Sequence, residues 1–380
     1  MKHRFFCWPG ASLALLGCAA HAPVPAHVPP VPRAELATSV FLIGDAGAPD
    51  PDGEPVLWAL RRDLANAPEQ RIVVFLGDNI YPRGLPRPED PDRSEAERRL
   101  RAQIEVVTTT RARGVFVLGN HDWARHGPDG WAAARRQTQY VDSVSRGLAA
   151  VRPVDGCPGP TVEDIGPRLR LVLLDTQWWL HPGPKPDDLQ STCPTNAEEE
   201  IVAALRTSLL ESGDRVVVAA AHHPLTTGGV HGGYFGWKDH LFPLRLVLPG
   251  LWLPLPLIGS LYPAARQNGI SSQDLTSPAY GRLIDAFRRA FADRPPALYA
   301  AGHEHNLQVI ERSPASLEVV SGGGIYGHTG RAVPVRGTLF ARNASGYARL
   351  DIPVTGPPRL AVVEVAAHGG SNEVFSIRME

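Results

Sequence analysis

Six side chains able to hold a cation or move a proton follow directly on apolar runs: Asp45, Asp78, Asn120, His222, His303 and His305. Phe41–Ile43 leads into Gly44-Asp45-Ala46-Gly47, and Arg71–Leu76 into Gly77-Asp78-Asn79-Ile80-Tyr81-Pro82. Val115–Leu118 leads into Gly119-Asn120-His121-Asp122, Val216–Ala221 into His222-His223-Pro224, and Ala297–Ala301 into Gly302-His303-Glu304-His305. Carboxylates, an amide oxygen and imidazoles clustered without partners are costly to bury. Metal ions remove that cost, and these donors suit Fe, Mn or Zn rather than Cu(I) or a structural thiolate site. The donors exceed the needs of one tetrahedral ion. They suit two ions about 3.5–4 Å apart, which clamp a phosphoryl group and activate a water for in-line attack.

Such convergence needs elements that end at one rim. Runs rich in β-branched and aromatic residues that stop at Gly read as buried strands, and open α/β sheets bind ligands at the carboxyl ends of their strands. Strands are expected near 38–43, 71–76, 114–118, 168–174, 215–221 and 297–301, with helices near 54–66, 93–110, 129–149, 196–211 and 277–292. This alternation implies parallel strands with helices packed outside. After residue 305, short strands near 307–311, 316–320, 346–352, 359–366 and 373–378 point to a second, more antiparallel sheet. The expected fold class is α/β: a two-sheet β-sandwich flanked by helices on both faces.

Together, Gly44-Asp45-x-Gly47, Gly77-Asp78-x-x-Tyr81, Gly119-Asn120-His121-Asp122, His222-x-Pro224 and Gly302-His303-x-His305 resemble the calcineurin-like metallophosphoesterase superfamily. Within it the chain is most similar to small, tartrate-resistant-type purple acid phosphatases. Most superfamily members carry His two places after the first Asp, where this chain has Gly47. Purple acid phosphatases lack that His and use a Tyr three places after the second Asp, where this chain has Tyr81. The resemblance extends through Gly302–Gln308 and Ser321–Gly324 and covers roughly residues 38–330.

The resemblance implies a ferric site at Asp45, Tyr81 and His305 and a divalent Fe, Zn or Mn site at Asn120, His222 and His303. Asp78 bridges the two. It implies a metal-bound hydroxide attacking phosphorus, His121 contacting the phosphate and leaving oxygen, and His231 falling where a general acid sits. Three anions from Asp45, Asp78 and a Tyr81 phenolate suit a trivalent ion beside phosphate. His223 is expected to pack rather than ligate, and Asp122, Asp175 and Glu304 to support the site from behind.

Net charge is −1, and arginines between residues 87 and 113 alternate with acids. That balance excludes the uncompensated basic face of a nucleic-acid binder. Hydrophobic content of 43% with 20% charged residues marks a globular chain. Lys2 and Arg4 precede an apolar stretch ending in Leu15-Leu16-Gly17-Cys18, which reads as an export signal resembling a lipobox acylated at Cys18. Ala20-His21-Ala22 offers an ordinary cleavage site instead. The expected organisation is a signal over 1–18, a proline-rich linker over 19–37, and one metallophosphoesterase domain over 38–380 with an insertion at 226–278. The place implied is the bacterial cell envelope or periplasm, with membrane anchorage through a Cys18 lipid. No protein partner follows from the sequence. Cys157 and Cys193 make a disulfide plausible in an exported chain, with free thiols as the alternative.

Leu241–Leu261 is nearly all apolar, but prolines at 243, 249, 254 and 256 and Arg245 forbid a spanning helix. It reads as a surface loop beside the site, with lipid contact as the alternative. No His-Glu-x-x-His, Gly-x-Ser-x-Gly or phosphate-binding Gly-x-x-x-x-Gly-Lys motif is present. The function expected is a two-metal phosphohydrolase acting on a small phosphorylated substrate, phosphomonoesters first. A phosphodiesterase or nucleotide pyrophosphohydrolase on the same site is the alternative, and a non-catalytic envelope binding protein with this fold is the further one.

Overall fold

The computed structural model describes residues 27–187, 191–246, 250–312 and 316–379. The signal stretch with Cys18 lies outside them. The first half of the chain alternates: β1 (Leu36–Ile43), α1 (Pro55–Asn66), β2 (Arg71–Leu76), α2 (Arg93–Thr110), β3 (Arg113–Val117), α3 (Gly130–Val144) and β4 (Ala149–Val151). There follow β5 (Thr161–Ile165), β6 (Leu169–Leu173), α4 (Gln177–Leu180), α5 (Glu198–Leu210) and β7 (Val216–Ala220). Short helices α6 (Trp237–Leu241) and α7 (Leu261–Gln267) lie in the insertion, before α8 (Pro278–Phe291) and β8 (Leu298–Ala301). The chain closes with β9 (Leu307–Arg312), β10 (Ser316–Ser321), β11 (Thr338–Arg342), β12 (Gly346–Pro353), β13 (Arg359–Val365) and β14 (Ser371–Arg378).

Among the described residues the strands form two mixed seven-stranded sheets. Their orders are β14-β13-β12-β1-β2-β3-β4 and β11-β9-β10-β8-β7-β6-β5. Strands β1 to β4 are parallel, as are β6, β7, β8 and β10. The expected segregation, with the strands after residue 305 forming a separate sheet, is corrected. β12 to β14 extend the first sheet antiparallel from β1, and β9 to β11 extend the second. Pattern within a strand reports which faces are buried, while the partner strand is chosen by tertiary packing.

Period-two alternation divides the core. From the first sheet, Phe41, Ile43, Val73 and Phe75 pack on α1 to α3. Their neighbours Val40, Leu42, Ile72 and Val74 face Leu171, Val218, Ala220 and Leu298 of the second sheet. The outer face of that sheet, with Val172, Ala219 and Tyr299, packs on α5 and α8. The result is helices on both faces of a sheet sandwich, as expected.

Two boundaries differ from expectation. The predicted helix over 129–149 ends at Val144, and the chain turns into β4. β1 begins at Leu36, and the segment before it is already fastened: the Val28 amide donates to Ser376 Oγ, and the Arg359 guanidinium donates to the Val28 carbonyl. Cys157 and Cys193 form a disulfide with Cα atoms 5.5 Å apart. No helix among the described residues is long and apolar enough to cross a membrane.

Candidate metal centre

The parallel strands of both sheets deliver their carboxyl ends to one rim. β1, β2 and β3 lead to Asp45, Asp78 and Asn120, while β7 and β8 of the other sheet lead to His222 and to His303 and His305. Backbone bonds tie the rim together: Asp45 N donates to Gly77 O, Gly44 N to Ser321 O, and Gly302 N to His222 O. Asp45, Asp78 and His303 adopt left-handed backbone conformations, with φ of 60°, 53° and 70°. Non-glycine residues hold that conformation at a cost, and it gathers at functional sites.

The seven sequence-predicted donors come together. Tyr81 Oη lies 3.1 Å from Asp45 Oδ1 and 3.1 Å from His305 Nε2, with His305 Nε2 3.5 Å from Asp45 Oδ1. Asn120 Oδ1 lies 3.0 Å from His222 Nε2 and 3.1 Å from His303 Nδ1, and the two imidazole nitrogens are 3.2 Å apart. Asp78 Oδ1 is 3.5 Å from His222 Nε2, and Asp45, Asp78 and His222 each place a donor atom within 4.8 Å of the other two. Two ligands about 2.1 Å from one ion at near-right angles lie roughly 3 Å apart, which is the spacing within each triad.

Hydrogen-bond accounting gives an independent test of fit. His222 Nδ1 faces the Leu76 carbonyl at 2.7 Å and so carries a proton, and the neutral ring, the form that binds metals, then directs its Nε2 lone pair inward. His303 Nε2 faces the Gln273 carbonyl at 3.3 Å, leaving the Nδ1 lone pair inward. With both rings in the neutral form that binds metals, two nitrogen lone pairs and the Asn120 oxygen meet without a hydrogen among them. Three acceptors at such distances repel unless a cation lies between. The donor set fits metal ions.

The charges agree. Burial raises the Asp45 carboxyl to about 8, against the pull of His222 and with the Asp78 charge adding. Burial also pushes the Asp78 carboxyl up, but His222 and His121 outweigh it and hold Asp78 below its usual range. Burial lowers His305 to about 4 and His303 well below the usual imidazole value, keeping both neutral, the form that binds metals. Burial, then the charges of Asp45 and Asp78, hold the Tyr81 phenol well above its ordinary value.

His121 and His231 sit at the margin. His121 Nδ1 faces the Pro82 carbonyl at 2.7 Å, and its Nε2 is 3.9 Å from Asp78 Oδ2. His231 stacks on His303 with ring centroids 4.0 Å apart. His223 is fully buried: its Nδ1 faces Thr176 Oγ1 and its Nε2 Gln273 Oε1, both at 2.8 Å. Although it falls with His222 and His303 in a geometric cluster, both of its nitrogens are already engaged, as its packing role requires. Asp122 accepts from the amides of Asn79, Ile80 and Gly119, so one carboxylate fixes the loops of both Asp78 and Asn120. Asp175 accepts from Trp123 Nε1 and the Gln177 amide. Glu304 accepts from the amides of Val230 and His231. His328, whose ring is 4.2 Å from that of His305, completes the rim.

Residues 38–250 match the calcineurin-like phosphoesterase family. The chain belongs to that family. Its sandwich is similar to GAP50, the anchor in the inner membrane complex of Plasmodium, at a TM-score of 0.52 and 14% identity, covering 90% of this chain and 88% of that one. It is similar to purple acid phosphatase PPD1 from yellow lupin (Lupinus luteus) seeds at 0.50 and 15%, covering 90% of this chain and 53% of the lupin chain. It is similar to PhoD at 0.50 and 12%, covering 90% and 70%. At these identities the likeness is one of fold. No curated protein matches the chain in sequence.

Sequence reasoning missed Gln273, Asp274 and Arg266, which reach the rim from the insertion. No strand leads to them and no motif marks them.

Proposed function

We propose that the protein is a metal-dependent phosphohydrolase of the cell envelope, lipid-anchored at Cys18, acting first on phosphomonoesters. In this reading Asp45, Tyr81 and His305 hold Fe(III), Asn120, His222 and His303 hold divalent Fe, Zn or Mn, and Asp78 serves both. The observation that carries it is the pair of donor triads, spaced 3.0–3.5 Å within each, with Asp78 beside them.

Bound there, two cations supply Lewis-acid charge to phosphoryl oxygens and acidify a water. The chain's own groups do the rest. Asp122 and the Leu76 and Gln273 carbonyls orient donors before substrate arrives. His121, its Nδ1 committed to Pro82, presents Nε2 beside Asp78 for a phosphate oxygen. His231 stands over His303 with no hydrogen-bond partner at Nε2 among the described residues, suited to protonate the departing oxygen.

The test pairs metal analysis of the mature protein with phosphate release from a monoester panel, bis-phenyl phosphate and nucleoside diphosphates. Two ions per chain and preferential monoester hydrolysis are expected. Preferential cleavage of the diester or anhydride would move the assignment to the phosphodiesterase or pyrophosphohydrolase reading. A metal-loaded protein inert to every substrate would overturn catalysis in favour of a binding role.

A further inference from the structure

His231 is held more firmly than its glycine-rich loop suggests. Its amide and that of Val230 donate to Glu304, and its carbonyl accepts from the Leu275 amide. Its ring is held separately: Nδ1 lies 3.1 Å from Asp274 Oδ1. The Asp274 side chain is 2% exposed and is gripped by Arg266, whose Nε and Nη2 donate to its two carboxylate oxygens. Arg266 Nη2 also comes within 3.2 Å of His231 Nδ1. Guanidinium has no acceptor and cannot give up a proton. With His231 Nδ1–H and Arg266 both donating to Asp274, no lone pair on Nδ1 faces the carboxylate oxygen 3.1 Å away.

We infer that Asp274, supported by Arg266, is a positioning residue for His231, holding its Nδ1–H and so aiming Nε2–H at the leaving oxygen. This rests on the reading of His231 as proton donor given above. As the bond from phosphorus to the leaving oxygen breaks, its electron pair stays on that oxygen, which takes the Nε2 proton of the doubly protonated ring and leaves it as the neutral Nδ1–H tautomer, while the attacking water forms the new P–O bond and gives up a proton to solvent. The carboxylate at Nδ1 holds the protonated ring in line, as an oriented base is held by its acid partner elsewhere. The insertion at 226–278 thus supplies part of the catalytic apparatus, and an Asp after a serine-rich loop acts through a His forty-three positions earlier.

The consequence separates by leaving group. A poor leaving group, such as an alkyl alcohol, needs the proton; p-nitrophenolate does not. In Asp274→Asn, kcat for alkyl phosphates should fall roughly 10- to 100-fold while kcat for p-nitrophenyl phosphate changes less than about 3-fold. Metal content should be unchanged, and Asp274→Glu should recover part of the alkyl rate. Nitrogen-15 histidine spectra of the zinc-loaded protein taken to high pH, where the ring has lost its Nε2 proton, should show His231 as the Nδ1–H tautomer, and as a mixture in Asp274→Asn. Should Asp274→Asn lose metal, Arg266→Gln keeps the carboxylate and should show the same leaving-group pattern more weakly. A loss in His231→Ala that depends on the leaving group, with none in Asp274→Asn or Arg266→Gln, would overturn the positioning role alone. A flat response in His231→Ala itself would remove the donor beneath it as well.

Discussion

Gly119 and Asp78 approach so closely that a β-carbon on the glycine would collide with the Asp78 amide and Oδ1. The contact joins the loops after β2 and β3, and the amide of His121 donates to the same Oδ1 at 2.8 Å. Gly119→Ala must therefore displace the carboxylate that both donor triads share. Bound metal per chain and hydrolysis should fall together, with about 1–3 kcal/mol of destabilisation from overpacking. Gly281 in α8, where an added β-carbon meets nothing within 4 Å, is the control. Gly281→Ala should leave activity unchanged and stabilise by about 0.5–1 kcal/mol in urea unfolding.

Asp78→Asn keeps the shape and removes the charge. Because Asp78 stands within 4.8 Å of donors from both triads, the amide should cost occupancy at both positions. Metal analysis should show fewer than two ions per chain, and phosphate release should drop by at least about 100-fold. Full turnover in this variant would refute the shared role.

Tyr81 provides the test of the proposed trivalent ion. Burial and two carboxylates keep its phenol protonated well above the usual range, so only a strongly charged cation can draw out the phenolate. Protein loaded with Fe(III) should absorb visible light, protein loaded with zinc alone should not, and Tyr81→Phe should stay colourless with either. A colourless, fully active ferric protein would leave Tyr81 off the metal.

The candidate donors that the fold gathers were legible because each follows its strand within a few residues, and the strand ends are written in apolar runs. Tyr81 was picked out through the joint replacement at Gly47, and the fold brings its hydroxyl to Asp45 and His305. Two things were not. Sheet membership of β12 to β14 depends on which edge lies free when the C-terminal hairpins fold, and alternation within a strand carries no such information. Gln273, Asp274 and Arg266 come from a segment without periodicity, and only the folded chain brings the Gln273 carbonyl to His303 and Asp274 to His231.

The disulfide closes a loop of 36 residues in sequence separation, from before β5 to the approach to α5. A cross-link of that span stabilises by roughly 2–4 kcal/mol, chiefly by restricting the unfolded chain. Replacing Cys157 and Cys193 together by Ser should lower the urea midpoint accordingly while metal content stays the same, since neither sulfur reaches the rim. An unchanged midpoint would indicate that the unfolded chain is already restricted without the bond.

Acid should destabilise the fold in a definite window through His181. The ring is 3% exposed, lies 4.9 Å from the Trp123 ring, and has no hydrogen-bond partner at either nitrogen among the described residues. Burial, with the Lys185 charge adding, lowers it from 6.5 to about 4. As pH falls below 6.5 the unfolded chain takes up this proton and the folded chain does not. Stability is therefore full above pH 6.5, declines toward pH 4, and this contribution flattens below that, a loss of order 1–3 kcal/mol. Asp175, raised to about 8 by burial, acts in the opposite sense as pH rises, so the His181 contribution is read as a difference between variants. His181→Leu should unfold in urea with little change at pH 7.5 and a shallower decline between pH 6.5 and 4. An identical slope in both proteins would assign the acid sensitivity to other groups.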